Sequence, residues 1–416
     1  MPQALTLPLE VGECPVGGSR EMLALQSRTP VARAAMPDGQ PVWLVTGYDE
    51  VRAVLGDRRF SSVSSKPGYP TAGGFGLAGS VLNRTMQRHD PPEHTRMRRM
   101  IAREFTPARV AGFQPIIDKA VEDVLKEVCA SGEDVIEFKK QIAEEVPARV
   151  TDEIMGIPED ERAFFKEAAA ALFNVHDSAE QYLESETRVA DYIRSLITTG
   201  RATPDGLVSR LAKNYSGSEH ASEDELAAYI MHLVVAGHET TTNQMTLDMW
   251  SLLNTEPPEG RSLDSLTRAE WLDVIDELMR FHAIVRGGPR RVAVEDITVG
   301  DVTIKAGEGV LTSIWTANHD PSAFDDPESW SWSRDERQPE HLGFGHGLHQ
   351  CLGQYLAREE LATVFTEFFG RFPAATLSEG EGAAVFGSDS TNYGMHSLRV
   401  QLNRSKRNED SQEHGH

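Results

Sequence analysis

The stretch Leu226–Leu253 limits this chain most, because its first half, LAAYIMHLVVAG, is apolar almost all the way round. A surface helix is apolar along one stripe only, so a helix of this kind must be wrapped by other elements inside a large domain. Ser222 and Glu225 stand ahead of it with the spacing of a capping box, which predicts where the helix starts. At about 1.5 Å per residue, about 30 residues make a rod of roughly 45 Å. The chain has 416 residues, enough to build a core around such a rod. No window reaches the ~18 consecutive apolar residues of a membrane span, so no membrane crossing is expected.

The rest reads as mostly helical. Asp118–Val128, Ile142–Met155, Asp160–Phe173 and Ala179–Ile197 carry apolar residues at helical spacing. Val31–Ala35 and Pro41–Val45 flank the turn formers Pro37-Asp38-Gly39-Gln40 and predict a hairpin. Thr46 with Asp49 offers the start of a short helix bearing Val51, Val54 and Leu55. Residues 61–80, rich in Ser, Gly and Pro, are expected to be a mobile, functional loop. Arg291–Val294 and Val302–Ile304, closed by Ala306-Gly307-Glu308-Gly309, predict a second short sheet. A last helix from about Leu352 to Phe369 should stop at Gly370, with Pro373 beyond. No linker interrupts the chain. The expected architecture is mainly α (α+β): a single helix-rich domain over residues 1–404, with small sheets at its edge and a long buried central helix. The polar run 405–416 (SKRNEDSQEHGH) reads as a disordered tail.

Charge and cysteine usage exclude several functions. Lys and Arg number 41 against 64 Asp and Glu, a net charge of −23, which disfavours broad binding to nucleic acid or to an anionic membrane. The cysteines, Cys14, Cys129 and Cys351, are too few and too scattered for a disulfide framework. With no signal-like N-terminus, a cytoplasmic, monomeric protein is the simplest expectation.

The segment His341–Glu359, HLGFGHGLHQCLGQYLARE, carries the most chemistry. Phe344, Gly345 and Gly347 make a tight loop in which glycine lets the backbone bend and approach something flat. Cys351 then stands at a helix entrance, where unpaired N–H groups and the positive end of the helix dipole favour thiolate, the form that ligates metal. On spacing alone three readings stand: a thiolate ligand to haem iron, a buried structural cysteine, or a zinc site with His346 and His349. The zinc reading has no Cys-x-x-Cys partner.

A second signal interrupts the apolar helix. Ala236-Gly237-His238-Glu239-Thr240-Thr241 combines a helix-weakening glycine with two threonines and an acid. The Thr240 hydroxyl can reach the Ala236 carbonyl four residues back and loosen the ladder there. A groove lined by an alcohol and an acid is one reading; a kink with a surface glutamate is the other. His238-Glu239 is no zinc-protease motif, since Thr242 stands where the second histidine belongs.

These segments together resemble the cytochrome P-450 superfamily. Phe344-Gly345-x-Gly347-x-His349-x-Cys351-x-Gly353 is similar to its haem-binding loop, and Leu356-Ala357-Arg358-x-Glu360 to the continuation common in soluble bacterial, actinobacterial-type members. The resemblance implies a P-450 fold and haem b with the Cys351 thiolate as axial iron ligand. Ala236, Gly237, Phe344, Gly345 and Gly353 would lie against that haem. Ala236-Gly237-x-Glu239-Thr240 resembles the oxygen-activation motif, in which Thr240 would hydrogen-bond bound oxygen and Glu239 would relay protons through water. His94 and Arg98, four apart, together with Arg291 and His349, match the positions that bind the haem propionates. Glu277 and Arg280 match the Glu-x-x-Arg fold lock. By residues alone they could equally be a solvated helix pair. Pro327 and Arg334 match the segment tied to that lock, with Trp330 in place of the usual Phe.

The implied activity is a haem-thiolate monooxygenase of secondary metabolism, as in antibiotic biosynthesis. It would insert one atom of O2 into a C–H or C=C bond of a medium-sized apolar natural product. Rival readings are an oxidase that desaturates or couples phenols, and a non-catalytic haem sensor, against which the Glu239–Thr240 pair argues. The length covers a haem domain without a flavin module. Electrons are therefore expected from NAD(P)H through a ferredoxin reductase and an acidic ferredoxin, docking near Arg96, Arg99 and Arg103, an arginine island in an acidic chain. By family topology the substrate pocket would draw on Phe75, Leu77, Leu82, Phe173, Ile284, Val285 and Asn392. Arg286 would either pair with a carboxylate or carbonyl of the substrate or turn to solvent.

Overall fold

The computed structural model describes residues 5–6, 19–71, 80–170, 172, 178–217, 221–334, 337–380, 382–387 and 392–403. Phe75, Leu77, Phe173 and the 405–416 tail lie outside these residues. The central helix spans Glu223–Asn254, 32 residues. Both arms of its capping box form: Ser222 Oγ accepts from the Glu225 N–H at 3.1 Å, and the Glu225 carboxylate accepts from the Ser222 N–H at 2.9 Å. The rod passes through two apolar clusters. Leu226, Tyr229, Ile230 and Val234 bury with Val189, Ile193 and Phe105, whereas Met245, Leu247, Met249 and Leu252 bury with Trp271, Leu278 and Phe365. Being covered on all sides explains why the helix lacks an amphipathic stripe.

The helix is not interrupted. Residues 236–241 stay α-helical, and the Thr240 hydroxyl donates to the Ala236 carbonyl at 2.5 Å without opening the ladder. Neighbouring elements supply the support that isolated propensity lacks: the Thr242 hydroxyl also reaches the Ala143 carbonyl at 2.9 Å.

The predicted hairpin forms as Val31–Ala35 and Pro41–Val45, with Ala34 opposite Val42. The second sheet does not form as expected. Arg290–Ala293 pairs antiparallel with Gly309–Thr312, which lies parallel to Pro41–Val45, so both join the first sheet. Val302–Ile304 pairs only with Ile297–Val299. Alternation of apolar residues marks a strand but does not name its partner, and Gly309 opens a strand instead of ending a turn. The short helix Tyr48–Gly56 starts at Gly47, not Thr46. Its first N–H, of Tyr48, donates to Asp320 at 2.8 Å, a cap from a distant segment. The last helix runs Gln354–Arg371, one residue past Gly370, with Phe372 as its C-cap directly before Pro373. Over its described part, 61–71, the Ser/Gly/Pro loop is anchored. Gln40 donates to the Gly68 and Tyr69 carbonyls at 3.2 Å each, and Gly68 (φ +82°) packs so closely on Gly307 that no side chain fits. Among the described residues no helix is long and apolar enough to cross a membrane.

Glu277 and Arg280, on the helix Arg268–His282, are 5% and 1% exposed, so the solvated-pair reading fails. Arg280 grips Glu277 with two N–H groups at 2.8 and 3.0 Å and donates to the carbonyls of Asn318, Pro327 and Ser329 at 2.7–2.9 Å. Arg334 donates to the same carboxylate at 2.5 Å, and the Ser331 N–H donates to it at 3.0 Å. Trp330 adds an indole hydrogen bond to Thr255 at 3.2 Å, which a Phe could not make. Arg280→Ala leaves the buried Glu277 carboxylate with Arg334 and the Ser331 N–H alone and takes the donor from three carbonyls, and chemical denaturation is expected to show a loss of about 3–5 kcal/mol. A loss under about 1 kcal/mol, the range of an exposed pair, would contradict this arrangement.

Candidate active site

The cysteine loop hangs from that buried network by a run of hydrogen bonds. Asn318 donates to the Arg280 carbonyl at 3.2 Å and accepts from the Leu342 N–H at 2.7 Å. The Leu342 carbonyl accepts from Gly345 at 2.7 Å, and the Phe344 carbonyl from Cys351 at 2.8 Å. Gly345 and Gly347 both take φ of 72°. At Gly345 the left-handed backbone alone demands glycine, since a Cβ would meet nothing within 4 Å. At Gly347 a Cβ would come within 2.4 Å of the Leu55 carbonyl oxygen, so the close approach expected toward something flat is here made to the helix Tyr48–Gly56. A second tether comes from Asp276, which accepts from Arg358 at 2.6 Å, while the Arg358 guanidinium lies 4.4 Å over the Phe344 ring.

Cys351 precedes the last helix by three residues. Its surface is accessible, yet the sulfur lies deep among protein atoms, so it belongs to an inner concave wall and not to the outer surface. Burial pushes the thiol up; the Gly353 and Gln354 N–H groups and the Arg98 and Arg358 charges pull it down without reversing the shift. The helix entrance therefore does not by itself make a thiolate. A metal cation would, because coordination deprotonates the thiol outright.

Four basic groups gather beside it. His94 and Arg98 come from the helix Glu93–Ala102, Arg291 from the strand Arg290–Ala293 and His349 from the turn Gly347–His349. The His94 and His349 rings are 4.4 Å apart. Arg98 donates to the Gln350 carbonyl at 2.8 Å and Arg291 to the Arg290 carbonyl at 2.8 Å. Neither arginine has a carboxylate ion pair among the described residues. Both ring nitrogens of His94 are buried without a hydrogen-bond partner of ordinary geometry. Burial, then Arg291, His94 and Arg98, hold His349 down at about 2; burial and then Arg98 lower His94. Asp90 is near enough to act on the charges of His94 and Arg291 but forms no ion pair with them among the described residues, so two guanidinium groups and two imidazoles in this setting fit a ligand carrying two carboxylates, as haem does. The distant Ser62, absent from the sequence reading, orients His349 across 3.1 Å, and Asp90 fixes Ser62 through its N–H at 3.0 Å. Only the sheet pairing of Phe60–Ser61 with Arg290–Ala293 brings that loop here, so no local signal announced it.

On the central helix, residues 235–240 are partly accessible between fully buried flanks. Val235 and the Cys351 neighbour Leu352 both border the same apolar cluster. The turn presents Thr240 and Glu239; Asn243 lies 3.5 Å from the Glu239 carboxylate. Gly237 is not crowded, since a Cβ there would make only an ordinary contact with Thr151.

Two of the expected substrate segments meet, since the Ile284 carbonyl accepts from the N–H of Tyr393, next to Asn392, at 2.8 Å. Leu82 and Ile284 are buried in core clusters, at 9% and 7% exposure, as packing residues, whereas Val285 is 37% exposed. Asn392 is half-buried. Arg286 does not turn to solvent: its guanidinium lies 3.5 Å over the Tyr393 ring and 5.8 Å from Trp315. Of the arginine island, Arg96 is committed to Glu225 at 2.8 Å, while Arg99 and Arg103 are exposed.

Residues 264–402 match the family model described as Cytochrome P450. The chain is 34% identical over 408 residues to Cytochrome P450-SU2 of Streptomyces griseolus, covering 96% of this chain and 97% of that relative. It is 36% identical over 358 residues to the mycinamicin IV hydroxylase/epoxidase of Micromonospora griseorubida, 85% and 87% of the two chains. The structure of cytochrome P450 MoxA from Nonomuraea recticatena superposes with a TM-score of 0.85 at 33% identity, covering 95% of this chain and 98% of that one. The chain belongs to the cytochrome P450 family. It is an oxidoreductase of the haem-thiolate, O2-using type that the family defines. In this cytochrome P450, replacing Arg98 or Arg291 by Ala removes a charged hydrogen-bond donor from the cradle. Haem retention, read as the Soret-to-protein absorbance ratio after dialysis against apomyoglobin, is expected to weaken about tenfold or more for each. Retention equal to the wild type in both variants would contradict the cradle's role.

Proposed function

We propose that this cytochrome P450 inserts one oxygen atom from O2 into a C–H or C=C bond of a medium-sized apolar natural product, in the cytoplasm. The observation that carries the reading is the alcohol–acid pair on the partly accessible turn 235–240 in the middle of a largely buried helix. Relatives named mycinamicin IV hydroxylase/epoxidase and pentalenic acid synthase support the substrate class.

Cys351 would hold the haem iron, with His94, Arg98, Arg291 and His349 on the propionates; the bound haem supplies oxygen activation. The chain's own residues then manage protons. The Thr240 hydroxyl donates its hydrogen bond to the Ala236 carbonyl, so its oxygen is left to accept one from a proton donor. Glu239, partly accessible and beside Asn243, carries protons between water and that point. Ala236 and Gly237, with no bulk beyond a methyl, leave room beside them for a flat group.

NAD(P)H would supply electrons through a ferredoxin reductase and a small acidic ferredoxin. Arg99 and Arg103, exposed on the Glu93–Ala102 face and just beyond, are the candidate contacts. Arg96 is withdrawn from that patch by Glu225.

Two outcomes check this. With a surrogate ferredoxin and reductase, Thr240→Ala is expected to keep consuming NADPH while product per NADPH falls about tenfold or more and peroxide rises. Unchanged coupling would remove Thr240 from proton handling. Arg99→Glu with Arg103→Glu is expected to slow ferredoxin-driven reduction and flatten its salt dependence; identical rates at low and high salt in both proteins would place the docking elsewhere.

A further inference from the structure

A buried carboxylate outside the oxygen-activating pair has no assigned work. Glu186, in the helix Ala179–Thr199, is 0% exposed. No lysine or arginine pairs with it among the described residues. Two hydrogen-bond donors converge on it instead. The Ser80 hydroxyl donates to Oε1 at 2.8 Å and the Val81 N–H donates to Oε2 at 2.9 Å, with Tyr182, one turn earlier on the same helix, close enough for the two groups to shift each other's proton affinity. The Ser80 oxygen in turn accepts from the Leu82 N–H at 3.2 Å. Thus the opening N–H groups of the short 3-10 turn Val81–Arg84 are satisfied by Glu186 directly and by Ser80, which Glu186 orients. A buried carboxylate persists only where such bonds converge on it, so its position ties the two segments together.

What it ties matters. Leu82, with Val81 at the margin, packs into the cluster holding Val189 and Ala190 of the Glu186 helix and Tyr229, Ile230 and Val234 of the central helix. Val234 immediately precedes the accessible turn 235–240 that carries Glu239 and Thr240. The 80–84 turn therefore sits between the helix Ala179–Thr199 and the stretch of the central helix leading into the site. Within itself it is held by little: Asn83 N–H to Ser80 and Thr85 N–H to Leu82, at 3.2 and 3.1 Å.

We propose that Glu186 is a positioning residue for substrate: it pins the Ser80–Arg84 turn to the helix Ala179–Thr199 and so fixes the two walls between which an apolar substrate is admitted and held. The inference rests on the monooxygenase reading for the identity of those walls, but the pin itself does not.

The test uses the haem-loaded full chain. Glu186→Gln keeps the shape but replaces one acceptor oxygen by an NH2 that faces donors. Ser80→Ala removes the opposing hydroxyl and is the milder variant should the first fold poorly. Amide hydrogen exchange over residues 80–88 is expected to quicken about fivefold in each. Exchange in the last helix, Gln354–Arg371, should stay unchanged, and the double variant should be no faster than Glu186→Gln. Dissociation of 4-phenylimidazole, followed by its Soret shift, is expected to quicken about threefold or more in the same variants. Exchange over 80–88 that stays at the wild-type rate in both variants would overturn the proposal. So would exchange that quickens uniformly through the protein, which would make Glu186 a general stability residue. Localised exchange with unchanged 4-phenylimidazole dissociation would overturn the substrate role alone. Absence of any Soret response in the wild type would instead defeat the monooxygenase reading, leaving the exchange result to decide the pin.

Discussion

The carboxylate of Glu277, shared by the guanidinium groups of Arg280 and Arg334, holds the site in place. A buried ion pair gains little over apolar packing in free energy, but removing one partner leaves a charge stranded. Here the pair also sets position. Arg280 uses its remaining donors on the carbonyls of Asn318, Pro327 and Ser329, and Asn318 passes the constraint on to Leu342. From Leu342 two backbone hydrogen bonds lead through the Phe344–Gly345 turn to Cys351. The sulfur's place is thus fixed from the far side of the helix Arg268–His282, by groups that never touch it.

Electrostatics divides the interior into two kinds of polar site. Asp248 and His282, both 0% exposed and 3.7 Å apart, are driven toward their neutral forms by burial, which raises the acid and lowers the imidazole to about 3. Gln244 and Ser251 bond the two side chains, and as neutral groups they need no counter-charge. The cradle of His94, Arg98, Arg291 and His349 differs, because two of its members are guanidinium groups that stay charged. Burial of Arg291 at 6% exposure, with only a carbonyl as its hydrogen-bond partner, suits an anionic ligand better than it suits the protein alone. The rise of the Cys351 thiol accords with the proposed haem, since the protein groups alone do not hold this sulfur as a thiolate.

Local patterns carried the helices, the hairpin, the capping box and the motif residues, because each depends on neighbours within a few positions. The cysteine loop, the Thr240 hydroxyl on Ala236 and the Glu277–Arg280 grip are of that kind. What depended on distant partners was not legible. Arg290–Ala293 lies beside Gly309–Thr312 and Phe60–Ser61 for reasons of sheet topology. That topology delivers Ser62 to His349 and Arg291 to the cradle. Asp320 capping the Tyr48 helix and Glu186 capping the 80–84 turn are likewise contacts across the fold. The substrate residues were the least legible: an apolar side chain suits a core as well as a pocket, and Leu82 and Ile284 went to the core.

The account turns on sulfur ligation by residue 351, and the spectrum of the ferrous protein under carbon monoxide tests that most directly. The wild type is expected to show the strongly red-shifted Soret band of thiolate-bound haem, and Cys351→Ala to lose it while its fold persists by circular dichroism. A wild-type band at the position of imidazole-ligated haem, or an unchanged red-shifted band in Cys351→Ala, would contradict the account.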